Sequence, residues 1–337
     1  MSDKVKIGLI GTGRIGQVHA ASIAALPETT LRWVCDPFVE SAKATAEKHE
    51  GARVTSDPTE VLDSGDVDAI IVASPTPTHV ELISAAIDAG VPVLCEKPID
   101  LDIARVDALR QKAQGATVPV VLGFNRRFDP HFAELQRRVA RGDIGPLEHL
   151  TITSRDPEPA PAAYLRDSGG IFRDMTIHDF DMSRFFVPDI VEVTARGAQQ
   201  FSDDIAALGD YDAVVVTLRG ARDELITIIN SRHSAYGYDQ RIEAFGAAGL
   251  LQVGNVGPTI VRAYGAESVE GIAPYHTFFF QRYAEAYRLE LAAFVEAIHG
   301  RPSISPGFED GRAALILADA AVRSAAEGIS VDVDVNA

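Results

Sequence analysis

Short apolar runs alternate with helix-spaced apolar positions along the first 123 residues. Val5 to Ile10 reads as a strand, and Arg14 to Leu26 places Ile15, Val18, Ile23 and Leu26 at helical spacing. Leu31 to Cys35 is a second strand, followed by a helical pattern from Phe38 to His49. Asp68 to Ala73 predicts a buried strand, Val80 to Ala89 a helix stopped by Gly90, and Val91 to Cys95 and Val118 to Gly123 further strands. A helix from Ile103 to Ala113 lies between the last two. Strands that alternate with helices in this way build βαβ units and a doubly wound parallel sheet.

The pattern changes after Phe124. Pro130 to Ala140 predicts a helix, the Pro-rich stretch Asp156 to Ala162 a loop, and Gly170 to Phe186 a single further helix. Long alternating segments follow at Val191–Ala198, Ala213–Leu218, Leu225–Ser231, Gln240–Phe245 and Leu250–Val253, with few helices between them. They predict an open, mostly antiparallel sheet. Helical patterns from Arg282 to Ile298 and Phe308 to Glu327 end the chain, separated by Pro302 and Pro306. The expected organisation is an α/β protein with two domains, residues 1–123 and 124–337, closely docked, the C-terminal helices returning to the first domain.

Composition adds exclusions. The chain has 337 residues, 46% of them hydrophobic and 23% charged, which suits a globular protein and not a disordered one. Its formal charge of −17 is spread along the sequence without a basic stripe, which argues against nucleic acid and anionic membranes as partners. No run approaches the length of a membrane span, and the N-terminal apolar run is too short for a signal peptide. Cys35 and Cys95 stand far apart with no CxxC spacing, so neither a disulfide framework nor a zinc ribbon is expected. The expected setting is the reducing cytoplasm.

The first chemical signal is Gly11-Thr12-Gly13-Arg14-Ile15-Gly16, a G-x-G-x-x-G between strand and helix. Gly11 permits the tight turn, Gly13 the approach of a pyrophosphate, and Gly16 close helix packing, while the helix N-terminus offers N–H groups to the phosphates. Asp36 closes the second strand 20 residues after Gly16, where its carboxylate accepts from ribose hydroxyls. A carboxylate there repels a 2′-phosphate, and Pro37, Phe38 and Val39 supply no arginine to receive one, so NAD is favoured over NADP. Arg14 is the residue that would weaken this preference.

Ligands in open α/β sheets bind beyond the carboxyl ends of the strands. Two motifs lie there: Ser74-Pro75-Thr76-Pro77-Thr78-His79 and Glu96-Lys97-Pro98. Ser74, Thr76, Glu96 and Lys97 are placed at the cofactor. His79, at the start of a helix near the cofactor end, either contacts the cofactor or caps the helix. Lys97 either stabilises developing alkoxide charge on a substrate or is a surface lysine paired with Glu96. His19, inside the first predicted helix, reads as a packed residue.

In the second half, Asp174 and His178 are four apart on the predicted helix and Asp181 continues their stripe. A carboxylate one turn before an imidazole fixes its tautomer and suits it to act as a general base near neutral pH. The same residues also fit a solvated acidic face, or less readily a metal site made of Asp174, His178 and Asp181. No further His or Cys cluster accompanies them, and no metal is expected.

Taken together, Gly11 to Gly16, Asp36, Glu96-Lys97-Pro98, Gly123 to Pro130, Ser168 to Met182 and Tyr236-Gly237-Tyr238-Asp239 resemble the Gfo/Idh/MocA oxidoreductase family over nearly the whole chain, and its inositol dehydrogenases in particular. The resemblance implies a Rossmann domain followed by an α/β domain whose open sheet builds homodimers and homotetramers. It implies Lys97, Asp174 and His178 as catalytic residues, with His178 taking the hydroxyl proton, Lys97 hydrogen-bonding the reacting oxygen and Asp174 orienting His178. Arg127, Asp181, Tyr236 and Tyr238 match positions that contact a sugar-like ring, and Tyr283 does so more loosely. Arg155 stands where some inositol dehydrogenases carry a histidine, which leaves the preferred isomer open. The implied reaction is NAD-dependent oxidation of a cyclic polyol, myo-inositol to its 2-ketone. The alternatives are another inositol isomer (scyllo- or chiro-inositol), an aldose, or a non-catalytic NAD-sensing regulator.

Overall fold

Val5–Ile10 forms β1, buried at every position but Lys6. The computed structural model describes residues 4–267 and 269–337. They fall into two compact units, one comprising the residues up to Asp129 with Ala284–Leu315, the other Pro130–Tyr283 with Ile316–Ala337. The chain therefore changes unit three times, after Asp129, Tyr283 and Leu315.

In the first unit, β1 is followed by α1 (Arg14–Ala25), β2 (Thr29–Cys35), α2 (Val39–Ala46), β3 (Arg53–Thr55), α3 (Pro58–Asp63), β4 (Ala69–Val72), α4 (His79–Ala89), β5 (Val93–Glu96), α5 (Ile103–Gln114) and β6 (Val120–Gly123). The six strands are all parallel in the order β3-β2-β1-β4-β5-β6, the arrangement of a doubly wound dinucleotide fold. β3 and α3 have no counterpart in the predicted elements, being too short to show a period. Local signals set the helix ends. Asp57 and Asp102 accept from Thr59 N and Ala104 N at 2.8 and 2.9 Å to cap α3 and α5, each cap contributing about 1 kcal/mol. Gly90, at φ 67°, ends α4 as predicted.

The second unit begins with α6 (Pro130–Ala140), β7 (Leu147–Arg155), α7 (Ala162–Asp167), α8 (Ile171–Asp174), α9 (Ile177–Phe186), β8 (Ile190–Ala198), α10 (Asp203–Ala207), β9 (Ala213–Gly220), β10 (Leu225–Ser231), β11 (Asp239–Gly246) and β12 (Gly249–Val253). A two-stranded ribbon of β13 (Arg262–Ala263) and β14 (Gly271–Ile272) follows. α11 (Phe279–Ile298), kinked at Tyr283, and α12 (Phe308–Glu327) precede β15 (Val331–Asp332). The large sheet has the order β12-β11-β7-β10-β9-β8-β15, antiparallel except where β7 and β10 run parallel. β7, absent from the expected strands, is an interior member between β11 and β10. Alternation buries Leu150 and Ile152 of β7, Val216 and Leu218 of β9, Ile226 and Ile228 of β10 and Ile242 and Ala244 of β11 on one face. Val215, Leu225, Phe245 and Leu250 are exposed. Ala284–Ile298 of α11 belongs to the first unit, where Leu291, Phe294 and Val295 join the core with Ile7, Leu9, Val34, Ile71 and Leu94. No helix among the described residues is long and apolar enough to cross a membrane.

Candidate active site

The glycine turn of the first unit is shaped for a dinucleotide. Gly11 has φ 96°, and a Cβ there would lie 2.6 Å from the backbone of Ala73 and Ser74. A Cβ on Gly16 would lie 2.1 Å from the Gly11 carbonyl oxygen, so only glycine lets α1 approach the turn. Nothing lies within 4 Å of a Cβ at Gly13, which leaves room for a pyrophosphate. Gly13 is the N-cap of α1 and brings no side chain to its first N–H groups. Arg14 and Ile15 open that helix. These features fit NAD.

Asp36 is held to the same turn. One carboxylate oxygen accepts from Thr12 N (2.8 Å) and Thr12 Oγ1 (2.6 Å), the other from Phe38 N (2.9 Å). The Phe38 ring beside it is 77% exposed. A 2′-phosphate brought to Asp36 would meet a carboxylate held in place. We expect Asp36→Ser to lower the NAD:NADP ratio of kcat/KM by roughly tenfold or more, the equivalent of about 1.4 kcal/mol. An unchanged ratio in steady-state assays would remove Asp36 from cofactor selection.

The two later motifs meet through His79. Its Nδ1 lies 2.7 Å from the Pro98 carbonyl oxygen and its Nε2 2.8 Å from that of Ser74. His79 is buried and thus ties the two loops together, a role beyond either cofactor contact or helix capping. Ser74 Oγ is 2.6 Å from Thr78 Oγ1, across the single turn of 3-10 helix that contains Thr76. Glu96 is buried and lies 2.7 Å from His19 Nε2, so His19 is packed, as expected, and also fixes the strand end that carries Lys97. From Val93 to Asp100 every residue is buried except Lys97. The preceding Cys95 thiol is pushed well above its ordinary range by burial and then by Glu96, and Cys35 is pushed up to about 12, first by burial and then by Asp36. Both thiols are neutral near pH 7 and are not nucleophiles. Arg127 donates to Asp310 at 3.0 Å and is mostly buried.

In the second unit, the single helix expected over Gly170–Phe186 is two. α8 ends at Asp174 and α9 starts at Ile177. Thr176 N reaches back to the Ile171 carbonyl, and His178 N bonds Met175 O. Gly170, at φ 82°, starts the first piece. Asp174 and His178 therefore stand on consecutive short helices and do not share the face of one.

The reading of this segment as a solvated acidic face is also corrected. Asp179 and Asp181 are fully buried. Asp179 accepts from Ser154 Oγ and Asn230 Nδ2, both at 2.7 Å, and those two residues are register partners on β7 and β10. Such a satisfied buried network fixes α9 on the sheet. From Met175 to Ser183 every residue is buried except His178. Among the described residues no three His, Cys, Asp or Glu side chains are grouped to hold a metal ion.

Around this segment, Asp174 accepts from Tyr164 Oη at 2.8 Å and pairs with Arg232 at 3.4 Å. Arg155 and Tyr236 converge on buried Asp239. Arg155 Nη1 reaches Tyr236 Oη at 2.8 Å and Asp239 at 3.0 Å, and Tyr236 Oη donates to Asp239 at 2.7 Å. Tyr238 and Tyr283 are buried and meet edge to face at 6.0 Å, with Tyr283 Oη 3.2 Å from Gln240. Tyr164, Asp210 and Arg232 were absent from the sequence-based site, and no spacing marks them. Asp239 ends the Tyr236–Asp239 motif, and its pairing with Arg155 follows from the β7–β11 register.

Comparison with known proteins agrees with this geometry. Residues 5–124 match the model of the Gfo/Idh/MocA oxidoreductase family, NAD-binding Rossmann fold, and residues 132–252 that of the Gfo/Idh/MocA C-terminal domain. The chain is 44% identical over 324 residues to inositol 2-dehydrogenase of Rhizobium meliloti (strain 1021), covering 96% of this chain and 97% of that one. The structure of a myo-inositol dehydrogenase from Corynebacterium glutamicum is similar with a TM-score of 0.95 and 54% identity, over 98% of this chain and 99% of that one. That of scyllo-inositol dehydrogenase from Lactobacillus casei with bound NAD(H) and scyllo-inositol gives 0.89 and 28%, over 98% and 99%. With a parallel sheet in strand order 3-2-1-4-5-6, a glycine turn open at Gly13, a carboxylate fixed at the end of the second strand and both family models matched, this chain belongs to the Gfo/Idh/MocA family of oxidoreductases, with NAD as its cofactor.

Proposed function

We propose that the protein oxidises a cyclic polyol, converting myo-inositol to 2-keto-myo-inositol. The observation that carries this reading is the isolation of Lys97 and His178, each the one incompletely buried residue in an otherwise buried run. Polar side chains opened selectively from buried segments are poised for a ligand more than for solvent. Bound NAD supplies the acceptor for the hydride that leaves the carbinol carbon. His178 removes the hydroxyl proton as general base, Asp174 orients the imidazole, and the Lys97 ammonium hydrogen-bonds the oxygen as it gains alkoxide character.

A neutral, hydroxyl-rich substrate is supported by the pairing of Arg127 with Asp310 and of Arg155 with Asp239. A phosphorylated substrate would have to compete with those carboxylates. Arg155, Asp181, Tyr236, Tyr238 and, more loosely, Tyr283 complete the proposed recognition set. Sites that hydrogen-bond hydroxyls reject isomers that leave them unpaired. Homologues named for inositol oxidation support the ring class, and the scyllo-inositol enzyme among them makes the isomer a separate question. The exposed Val215, Leu225, Phe245 and Leu250 on the open sheet are proposed to meet a second copy of the chain.

A panel of myo-, scyllo- and chiro-inositol and aldoses, each with NAD and with NADP, tests the substrate. Reduced cofactor should form fastest with myo-inositol and NAD. Faster turnover of another isomer or of an aldose would overturn the assignment to myo-inositol. No turnover of any polyol would favour an NAD-sensing regulator.

A further inference from the structure

We infer that Arg232 is a positioning residue for the oxidation, acting through Asp174. This rests on the reading of Asp174 and His178 given above. Arg232 follows β10 and is 1% exposed, among the largest fully buried side chains of the protein. A guanidinium remains charged under all ordinary conditions, and burying it is costly unless carboxylates compensate. Two do so. Nη1 pairs with Asp174 at 3.4 Å and Nη2 with Asp210 at 3.2 Å.

The two carboxylates lie at opposite ends of one short element. Asp210 Oδ1 accepts from the backbone N–H of Ile171 at 3.0 Å, at the first residue of α8. Asp174 is the last residue of the same helix. One planar guanidinium therefore spans a four-residue helix and holds both of its ends. Such a helix has little hydrogen bonding of its own to resist rotation. The position of Asp174, and through it the orientation of His178, depends on this clamp. Tyr164 Oη, at 2.8 Å from the other oxygen of Asp174, fixes the carboxylate from a second direction. The backbone N–H of Arg232 is itself anchored on the Asp212 carbonyl at 2.8 Å. The role is one of geometry, because both Nη atoms of Arg232 are taken up by carboxylates of its own unit.

The test is a double-mutant cycle of Arg232→Gln with Asp174→Asn, read as kcat for myo-inositol oxidation, the Kd of NAD and the unfolding midpoint. Arg232→Lys is carried in parallel: it keeps one charge but loses the fork, and serves if the glutamine variant does not fold. The expected result is a fall in kcat of roughly tenfold or more for either Arg232 variant, with the Kd of NAD unchanged. In the Asp174→Asn background the same exchange should change kcat less than about twofold, since coupled residues fail to add. Wild-type kcat in the Arg232 variants would overturn the inference, as would an effect that multiplies fully with that of Asp174→Asn. If Asp174→Asn itself retains wild-type kcat, the catalytic reading of Asp174 fails, and the inference with it.

Discussion

His178→Ala is expected to lower kcat for polyol oxidation by roughly 10²–10⁴-fold, the usual contribution of a positioned general base, and to leave the Kd of NAD unchanged. The two halves of this expectation have separate physical grounds. His178 is the one opening in the buried run from Met175 to Ser183, and its helix is pinned by the Asp179 network to Ser154 and Asn230. Removing the imidazole thus deletes the proposed proton acceptor and leaves the Asp179 network in place. The nucleotide turn belongs to the other compact unit and draws its geometry from Gly11, Gly16 and Asp36. Stopped-flow or steady-state turnover, paired with fluorescence titration of NAD, separates the two. Turnover close to wild type would remove His178 from the reaction.

Lys97→Met should cost about 10²–10³-fold in kcat, the scale of losing one donor to a developing oxyanion. Methionine preserves most of the aliphatic stem, so the change isolates the ammonium. The surrounding segment is tied down on both sides of Lys97. Glu96 is held by His19, the Pro98 carbonyl by His79, and every residue from Val93 to Asp100 other than Lys97 is buried. A surface lysine merely paired with Glu96 would contribute less than about 1 kcal/mol, and its replacement would leave kcat nearly unchanged. Turnover within a few-fold of wild type would therefore favour that reading.

The parts of the fold that show a period were legible in sequence. β1, β2, β4 and β9 to β12 are short runs with clear burial or alternation, and α12 spans the predicted residues Phe308 to Glu327. The glycine turn and Asp36 were legible because a tight turn, a close helix and a ribose contact each demand a residue type at a fixed offset. β7 escaped although it alternates, because it follows a turn-rich stretch, and its interior place depends on pairing with β10 and β11 far along the chain. The break between α8 and α9 was illegible for a different reason. Nothing in the residue types from Asp174 to His178 forbids a helix, and the segment makes contacts that spacing does not record, Thr176 Oγ1 to Asn230 and Asp174 to Arg232. Arg232 and Asp210 likewise acquire meaning only once β10 and the loop before β9 are brought to α8.

Stoichiometric turnover of myo-inositol by the wild-type protein with NAD tests the proposed oxidation directly. Reduced cofactor is followed by absorbance and the product by mass spectrometry. One reduced NAD is expected for each 2-keto-myo-inositol formed. NAD binding without any ketone product, from myo-inositol or any other polyol, would contradict it.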